Sequence, residues 1–498
     1  MSIPGDSLER RLRTAGLFLG PALAILLYLW NPGGHPQEAR TLLAIMALAI
    51  CFWMTEAIPL PATALLATAL AIVTGVAPAR EVLAPYADPV IFLFIGSFLL
   101  AEAFRTYRLD QRIAGVMLRS RWFGGSPGGV LSGIGVASAT VSTCLSNTAT
   151  AALMTPIAVG ASREAGKAGS GEAPSEEQIH PWASGIVLVV AYGASIGGMA
   201  TIIGTPPNLL VAGFLERLAG VRITFTGWLG FGLPIALILL PLAILWTRLS
   251  LGRPPAWQAR AHQPISQPES PEMTAGRRWT ILAFGLAALL WTLPAIAAAV
   301  LGSDHETVKL LTGHLPEAAV ALLMAALLFL APVNWKERKF ALSWEHGHQV
   351  NWGIILLFGG GLSLGTMAEK TGIAQWLGAG ISSLEIASTP AGLLAVTIAM
   401  TILVSEFASN TASTTLLVPI VIAAAKASGL DPVAPALGCG LAATCGFIFP
   451  VSTPPNAIVF GTGLVPLSRM IRIGVLLDIT SFFVIWLGLL ALGPWLPH

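Results

Sequence analysis

The sequence predicts an all-α polytopic membrane protein with about eleven transmembrane helices and two re-entrant hairpins, arranged as two inverted repeats. Three observations predict this fold. Of the 498 residues, 55% are hydrophobic and only 10% are charged, whereas soluble domains carry roughly 25% charged residues. Apolar stretches long enough to cross a bilayer, which takes roughly 20 residues, occur along the whole chain. Two polar motifs inside apolar regions recur, in the same order, in both halves.

The apolar composition excludes an ordinary cytosolic enzyme and a disordered chain. The net charge of +2 gives no support for a nucleic-acid partner. The first apolar run follows Arg10, Arg11 and Arg13 and lacks a small-residue cleavage site, so we expect it to remain as a span. The predicted spans are residues 14–31, 39–55, 58–77, 88–105, 182–216, 226–249, 278–301, 316–333, 351–370, 432–463 and 473–495.

Two further apolar regions, 127–163 and 388–427, are too long for one span, and each half is too short for a span. We therefore predict re-entrant hairpins, which enter and leave the bilayer on the same side. With the N-terminus in the cytoplasm, this topology places most of the 27 Lys and Arg residues on the cytoplasmic side, as the positive-inside rule requires. It places the C-terminus outside and makes the Pro- and Gln-rich segment 250–277 a cytoplasmic linker.

Both halves carry the same motifs. SNTA at 146–149 matches SNTA at 409–412, and GTPPN at 204–208 matches STPPN at 452–456. Five predicted spans separate the two hairpins; because this number is odd, the hairpins open to opposite faces and the repeats are inverted, as in many secondary transporters. The predicted domains are an N-terminal segment with the first span (1–38), a first repeat (39–249) with a broken helix at 182–216, the linker, and a second repeat (278–498) with a broken helix at 432–463.

The motifs are suited to binding both a cation and an anion. A hairpin tip inside the bilayer leaves backbone groups without helix partners, so it must line a cavity or bind a ligand. Hydroxyl and amide oxygens suit Na⁺, and helix N-termini suit a carboxylate. Paired prolines break a helix and free the carbonyls before them, at Gly204 and Ser452, for a cation. The hydroxyls of Thr205 and Thr453 are then placed to face a substrate.

Some acidic residues lie in or near the predicted membrane segments. Glu406, inside the second hairpin, is interpreted as a structural partner of backbone donors rather than a proton site, because the first hairpin has Thr143 at the matching place. Glu102, Glu369 and Asp478 lie close to predicted span ends, where we expect them to face water or pair with Arg or Lys.

The paired motifs resemble those of the divalent anion:sodium symporter family. The resemblance covers residues of about 40 to 495 and rests on SNTATAALMTPIA at 146–158, GTPPNLL at 204–210, SEFASNTASTTLLVPI at 405–420 and STPPNAIVFGTG at 452–463. Members of that family move dicarboxylates, citrate or sulfate. The resemblance implies an elevator mechanism, in which a transport domain of two hairpins and two broken helices slides against a scaffold that forms a homodimer.

The resemblance also implies two sodium sites and one site for a di- or tricarboxylate anion. The first sodium site would use Ser142, Ser146, Asn147 and Gly204. The second would use Ser405, Ala408, Ser409, Asn410 and Ser452. The substrate carboxylates would meet Asn147, Thr148, Asn410 and Thr411, with Thr205, Thr453, Pro206 and Pro454 beside them.

The site so defined contains no Lys or Arg, so two sodium ions would supply the positive charge that holds a dianion. The anion would then bind only to the sodium-loaded form, which is coupling. The sequence therefore predicts sodium-coupled import of a C4-dicarboxylate such as succinate, malate or fumarate across a bacterial inner membrane, without an organic cofactor. A sodium-independent dicarboxylate exchanger and a sodium-coupled citrate or sulfate carrier are the alternatives. An ion channel and a membrane-embedded enzyme are disfavoured, because neither a repeated filter segment nor a catalytic motif is present.

Overall fold

A computed structural model describes residues 4–31, 34–118, 123, 126–165, 180–254, 270–302, 304–493 and 496. Nearly all of its ordered elements are helices, as predicted. The first part contains α1 (Pro4–Trp30), α2 (Gln37–Thr55), α3 (Leu60–Val73), α4 (Ala79–Leu83), α5 (Pro89–Thr106), α6 (Leu109–Leu118), α7 (Pro127–Ser142), α8 (Asn147–Ala165), α9 (Pro181–Met199), α10 (Pro206–Phe214) and α11 (Phe225–Ser250).

The second part continues the helical fold after the linker. It contains α12 (Pro271–Leu301), α13 (Glu306–His314), α14 (Glu317–Leu330), the antiparallel strands β1 (Pro332–Asn334) and β2 (Lys339–Phe340), α15 (Trp344–Gly347), α16 (Trp352–Thr371), α17 (Ile373–Ser382), α18 (Pro390–Ser405), α19 (Asn410–Ala427), α20 (Val433–Ala443), α21 (Pro454–Phe460) and α22 (Leu467–Leu492). The series α5 to α11 therefore matches α16 to α22 element by element.

Nine helices in the described ranges are long and apolar enough to cross a bilayer, or ten if α13 and α14, bent by 58°, form one span. The sequence predicted eleven. Three of those regions are not among the nine: α3 and α14 have 14 residues each, and 432–463 splits into α20 and α21. The count of eleven stays a prediction.

Each predicted hairpin is a helix–turn–helix unit in which four residues join the two arms. The first unit is α7 and α8, and the second is α18 and α19. Equivalent caps start them: Ser126 Oγ accepts the amide of Gly129 at 3.0 Å, and Thr389 Oγ1 accepts the amide of Gly392 at 3.1 Å. A proline follows each cap at the first helical position, where its missing N–H costs nothing. These caps and prolines set where the first arm of each hairpin begins.

The two repeats interlock. Both arms of the first hairpin pack on α9, and both arms of the second pack on α20. In addition, α8 packs on α21 and α10 packs on α19, so each hairpin also contacts the broken helix of the other repeat. This crosswise packing places the four polar motifs in one region of the fold.

The packing of α7 on α9 depends on a glycine. A Cβ at Gly197 would lie 2.2 Å from the carbonyl oxygen of Ala139, whereas a Cβ at Gly160, on α8, would meet no atom within 4 Å. We expect Gly197→Ala to lower the free energy of unfolding by about 1–3 kcal/mol, because the hairpin must move off α9. Gly160→Ala, its control, should be neutral or slightly stabilising. Thermal unfolding in detergent measures both, and equal melting temperatures for the two variants would contradict this packing.

Ion pairs agree with the predicted relative sides of the loops. Each ion pair given by the described residues joins two residues that the topology places on the same side of the bilayer. Arg222 and Glu317, for example, lie on the side predicted to be outside, and Arg13 and Glu56 on the opposite side. Which side faces the cytoplasm stays a prediction.

The predicted linker 250–277 is too long at its C-terminal end. Helix α12 begins at Pro271, where Ser270 Oγ accepts the amide of Met273 at 3.2 Å. This polar cap starts the helix before the apolar stretch begins, so hydropathy alone missed its first turns. Residues 255–269 of the linker and residues 1–3 of the predicted N-terminal segment lie outside the described residues.

Candidate functional site

The two hairpin tips have the same internal hydrogen bond. Ser142 Oγ donates to Asn147 Oδ1 at 2.9 Å, and Ser405 Oγ donates to Asn410 Oδ1 at 3.1 Å. Both bonds join the end of the first arm to the start of the second. They fix the amide of each asparagine at the tip, with its NH₂ group directed away from the serine hydroxyl.

A second serine at each tip caps the helix that follows. Ser146 Oγ accepts the amide of Ala149 at 3.3 Å, and Ser409 Oγ accepts the amide of Ala412 at 3.2 Å. Helices α8 and α19 therefore begin at Asn147 and Asn410. A helix N-terminus carries partial positive charge, so both tips favour an anion.

The two helix breaks are held by equivalent asparagines. Asn208 Nδ2 donates to the carbonyls of Gly198 and Thr201, both at 2.8 Å. Asn456 Nδ2 donates to the carbonyls of Gly446 and Phe449 at 2.8 and 3.0 Å. The sequence interpretation gave these asparagines no role, although their position at the end of both TPPN motifs was a signal.

Each break leaves polar oxygens without protein partners. Among the described residues, Asn208 Oδ1 and Asn456 Oδ1 are buried and accept no hydrogen bond. The same holds for the hydroxyls of Thr150 and Ser413, which lie at equivalent positions one turn after the tips. Buried orphan acceptors are unfavourable unless a ligand satisfies them. Such neutral oxygens suit a sodium ion.

The first sodium site predicted from the resemblance is brought together. A Cβ at Gly198 would lie 2.2 Å from Asn147 Oδ1, and a Cβ at Gly204 would lie 2.5 Å from the carbonyl oxygen of Gly198. Ser142 bonds to Asn147 directly, and Ser146 starts the same helix. The tip of the first hairpin is therefore in direct contact with the first break, because Gly198 has no side chain to separate them.

The second predicted site is assembled in the same way. A Cβ at Gly446 would lie 3.2 Å from the carbonyl oxygen of Ser405. Ser405 Oγ shares its single hydrogen between Asn410 Oδ1 and the carbonyl of Ala443, which is 2.6 Å away. Ser452 Oγ shares its own between the carbonyl of Glu406, at 3.0 Å, and the carboxylate of the same residue. Ala408 is buried in the turn, between Ser405 and the cap residue Ser409. These bonds tie the second tip to the second break.

The predicted substrate residues lie on the surfaces between tips and breaks. Thr205 and Thr453 are buried and extended at the N-caps of α10 and α21, which begin at Pro206 and Pro454. Thr148 is exposed and Thr411 is half-buried, each as the second residue of its helix. Because each hairpin packs on the other repeat's broken helix, the two sets face one region.

Glu406 accepts hydrogen bonds from backbone donors, as interpreted from the sequence. Its Oε1 accepts the amide of Ile448 at 3.0 Å, and its Oε2 accepts the amide of Phe449 at 3.2 Å. The hydroxyl of Ser452 also donates to Oε2, at 2.6 Å. The carboxylate thus joins the second hairpin to the second break.

The other three acidic residues differ in exposure and in ion pairing. Glu102 pairs with Arg105 and Glu369 pairs with Lys426, both at 2.9 Å, as expected. The expectation for Asp478 was wrong, because its side chain is only 7% exposed and no ion pair among the described residues includes it. Helix α22 begins at Leu467, before the predicted span, so Asp478 lies well inside the helix.

Comparison with known proteins decides the family. The protein-family model described as the sodium:sulfate symporter transmembrane region matches residues 15–497 of this chain. The chain belongs to this family. The motifs of this chain resemble those of the divalent anion:sodium symporters, and the family match confirms this resemblance.

Among curated members similar to this symporter-family chain is the sodium-dependent dicarboxylate transporter SdcS of Staphylococcus saprophyticus. It is 33% identical over 486 residues, which cover 96% of this chain and 91% of the relative. SdcS of Staphylococcus aureus strain bovine RF122 is 32% identical over 94% of this chain and 89% of the relative.

Two solved structures share the fold of this family member. The Alcanivorax borkumensis YdaH transporter aligns with a TM-score of 0.58 at 17% identity, over 83% of this chain and 88% of that one. Neisseria gonorrhoeae MtrF aligns with a TM-score of 0.58 at 14% identity, over 92% of this chain and 96% of that one. At these identities the likeness supports the multi-pass helical fold alone.

Proposed function

We propose that this chain is a sodium-coupled importer of C4-dicarboxylates such as succinate, malate or fumarate. One observation carries the proposal: a hairpin tip packed against a helix break occurs twice in the fold. Each tip has a serine–asparagine hydrogen bond, and each break has an asparagine that donates two hydrogen bonds. The relatives named as sodium-dependent dicarboxylate transporters support the choice of ion and substrate.

Two sodium ions, one at each unit, are proposed as co-transported cargo. The first is bound by Ser142, Ser146, Asn147 and Gly204, and the second by Ser405, Ala408, Ser409, Asn410 and Ser452. The dicarboxylate lies between the helix N-termini at Asn147 and Asn410 and contacts the neighbouring threonines. Because the hydrogen bonds of both tips involve no Lys or Arg, sodium supplies the charge that the dianion needs.

The transport step is proposed to be an elevator movement of the two hairpins and two broken helices. The crosswise packing of α8 on α21 and of α10 on α19 supports their moving as one body. The remaining helices would form the scaffold of a homodimer in a bacterial inner membrane, with the N-terminus in the cytoplasm and the C-terminus outside.

Substrate choice is tested by uptake of labelled succinate into proteoliposomes, with external sodium or with potassium at equal ionic strength. We expect uptake in sodium only, with inhibition by excess malate or fumarate and little inhibition by sulfate or citrate. Liposomes without protein are the control. Uptake of sulfate or citrate in place of succinate would reject the proposed substrate class, and equal succinate uptake in both salts would reject sodium dependence.

A further inference from the structure

The connection between α14 and α16 carries three exposed aromatic side chains. Trp335, Phe340 and Trp344 are 75%, 37% and 70% exposed. They lie within ten residues of one another, between the predicted spans 316–333 and 351–370. Several exposed large apolar side chains in one short segment are uncommon on a surface that faces only water, and they indicate contact with a membrane or a partner.

The turn 335–338, which presents Trp335, has a defined structure. The antiparallel strands β1 and β2 close it. Within the turn, the amide of Arg338 donates to the carbonyl of Trp335 at 3.3 Å, and the amide of Glu337 donates to Asn334 Oδ1 at 3.3 Å. The exposure of Trp335 is therefore set by a hydrogen-bonded turn.

Contacts with α12 set the depth of this turn in the bilayer. At the start of β1, the indole nitrogen of Trp279 donates to the carbonyl of Pro332 at 3.1 Å. At its end, Asn334 Nδ2 donates to Glu272 Oε1 at 2.7 Å. Glu272 lies six residues before the predicted span 278–301, which is about 9 Å along a helix. The headgroup layer on each side of a bilayer is roughly 5–8 Å thick, so the turn lies at its outer edge.

The helices beside the turn face lipid. Helix α12 is long and apolar enough to cross the bilayer, and only 17% of its most apolar stretch is buried by the rest of the chain. Trp344 packs beside Phe329 near the end of α14, with ring centroids 6.2 Å apart. The exposed tryptophans therefore lie where these two helices leave the bilayer, which is the level at which Trp is enriched in membrane proteins.

The charge of the turn favours an anionic lipid. Lys339 is shared by two carboxylates, those of Glu337 at 2.6 Å and Glu272 at 3.6 Å. Lys336 and Arg338 are exposed, and neither belongs to an ion pair among the residues that the structure describes. Unpaired cations at the membrane surface attract anionic headgroups, and both side chains can donate hydrogen bonds to a phosphate.

The corresponding connection of the first repeat lacks these features. Residues 74–88 precede α5 as residues 331–351 precede α16, and they contain no Trp and one basic residue, Arg80. Their one aromatic residue, Tyr86, is half-buried and shares a hydrogen bond with Thr68 at 2.8 Å. The first repeat thus folds without an exposed aromatic and basic turn, which indicates that the turn has a role of its own.

We propose that the turn 335–338, with Phe340 and Trp344, is an interfacial anchor that binds anionic phospholipid headgroups. The two tryptophans insert among the headgroups, and Lys336 and Arg338 bind the lipid phosphates. Because the turn is bonded to α12 and follows α14 directly, this contact holds both helices at one depth in the bilayer. Lipid binding at the turn is independent of the ion and the substrate that the chain moves.

Hydroxyl-radical footprinting of the purified full-length protein in lipid nanodiscs tests the anchor. Peptide mass spectrometry gives the oxidation rate of each side chain, which is divided by its rate in the unfolded chain. In discs of phosphatidylcholine with phosphatidylglycerol, we expect Trp335 and Trp344 to be oxidised several-fold more slowly than His305, which is exposed before α13. Equal relative rates for Trp335 and His305 would overturn the anchor. Protection that disappears in discs holding one chain would also overturn it, because a second copy would then be the partner.

The double substitution Lys336→Gln and Arg338→Gln tests the charge of the lipid. In the wild type, we expect the protection of Trp335 to increase several-fold when phosphatidylglycerol is added to phosphatidylcholine. The double variant should show equal protection in both lipids. Lys309→Gln removes the charge of an exposed lysine on the opposite side and should behave as the wild type. A wild type that does not respond to the anionic lipid, or a double variant that responds as the wild type does, would overturn the binding of anionic headgroups.

Discussion

Asn147→Asp and Asn410→Asp are each expected to reduce dicarboxylate uptake by more than about 100-fold, at normal expression and stability. The new carboxylate still accepts the hydroxyl of Ser142 or Ser405, and a negative charge suits the start of a helix. It removes the NH₂ donor and places a charge against the substrate anion. Two like charges about 4 Å apart at an effective dielectric of about 20 repel by about 4 kcal/mol, and every 1.4 kcal/mol is about tenfold in affinity.

Asn351→Asp is the matched control for both variants. Asn351 caps α16 by accepting the amide of Ile354 at 3.2 Å, and Asp caps a helix as well as Asn does. Its uptake should equal that of the wild type. Initial rates of labelled succinate uptake in proteoliposomes measure all three proteins. Wild-type rates for Asn147→Asp or Asn410→Asp would remove that tip from the substrate site.

Asn208→Asp and Asn456→Asp are expected to act in a different way, by destabilising the folded protein. Both asparagines are completely buried, and each holds two carbonyls of its break. An Asp of equal size cannot donate to those carbonyls, and each carbonyl left unsatisfied costs about 1–3 kcal/mol. We therefore expect the free energy of unfolding to fall by about 2–6 kcal/mol in each variant.

Thermal unfolding with and without sodium separates the two pairs of variants. Asn208→Asp and Asn456→Asp should melt well below the wild type, whereas Asn147→Asp and Asn410→Asp should melt near it in both conditions. Asn351→Asp again controls for the chemical change. A wild-type melting temperature for Asn208→Asp would show that its two hydrogen bonds do not hold the break.

The hairpins could be predicted closely because their signals are local. The length of the apolar region and its polar centre predicted a hairpin at 388–427, and the structure has arms at Pro390–Ser405 and Asn410–Ala427. The repeated motifs also predicted which segments are broken. Both results depend on the order of residue types along a few turns of chain.

The features that sequence interpretation missed depend on tertiary geometry. The bonds of Asn208 exist because the break turns the carbonyls of Gly198 and Thr201 toward one point. Asp478 was misplaced because Arg469 and Arg472 lower the hydropathy of a segment that is nevertheless helical from Leu467 onward. Neither a contact across a break nor a helix longer than its apolar stretch is visible in a hydropathy pattern.

Accumulation of succinate against its own gradient tests sodium-coupled transport most directly. Proteoliposomes are loaded with labelled succinate at the external concentration, and an inward sodium gradient is then imposed. We expect internal succinate to rise above the external level and to return to it when a sodium ionophore collapses the gradient. Internal succinate that never exceeds the external level, while labelled and unlabelled succinate still exchange without sodium, would contradict coupling and identify an exchanger.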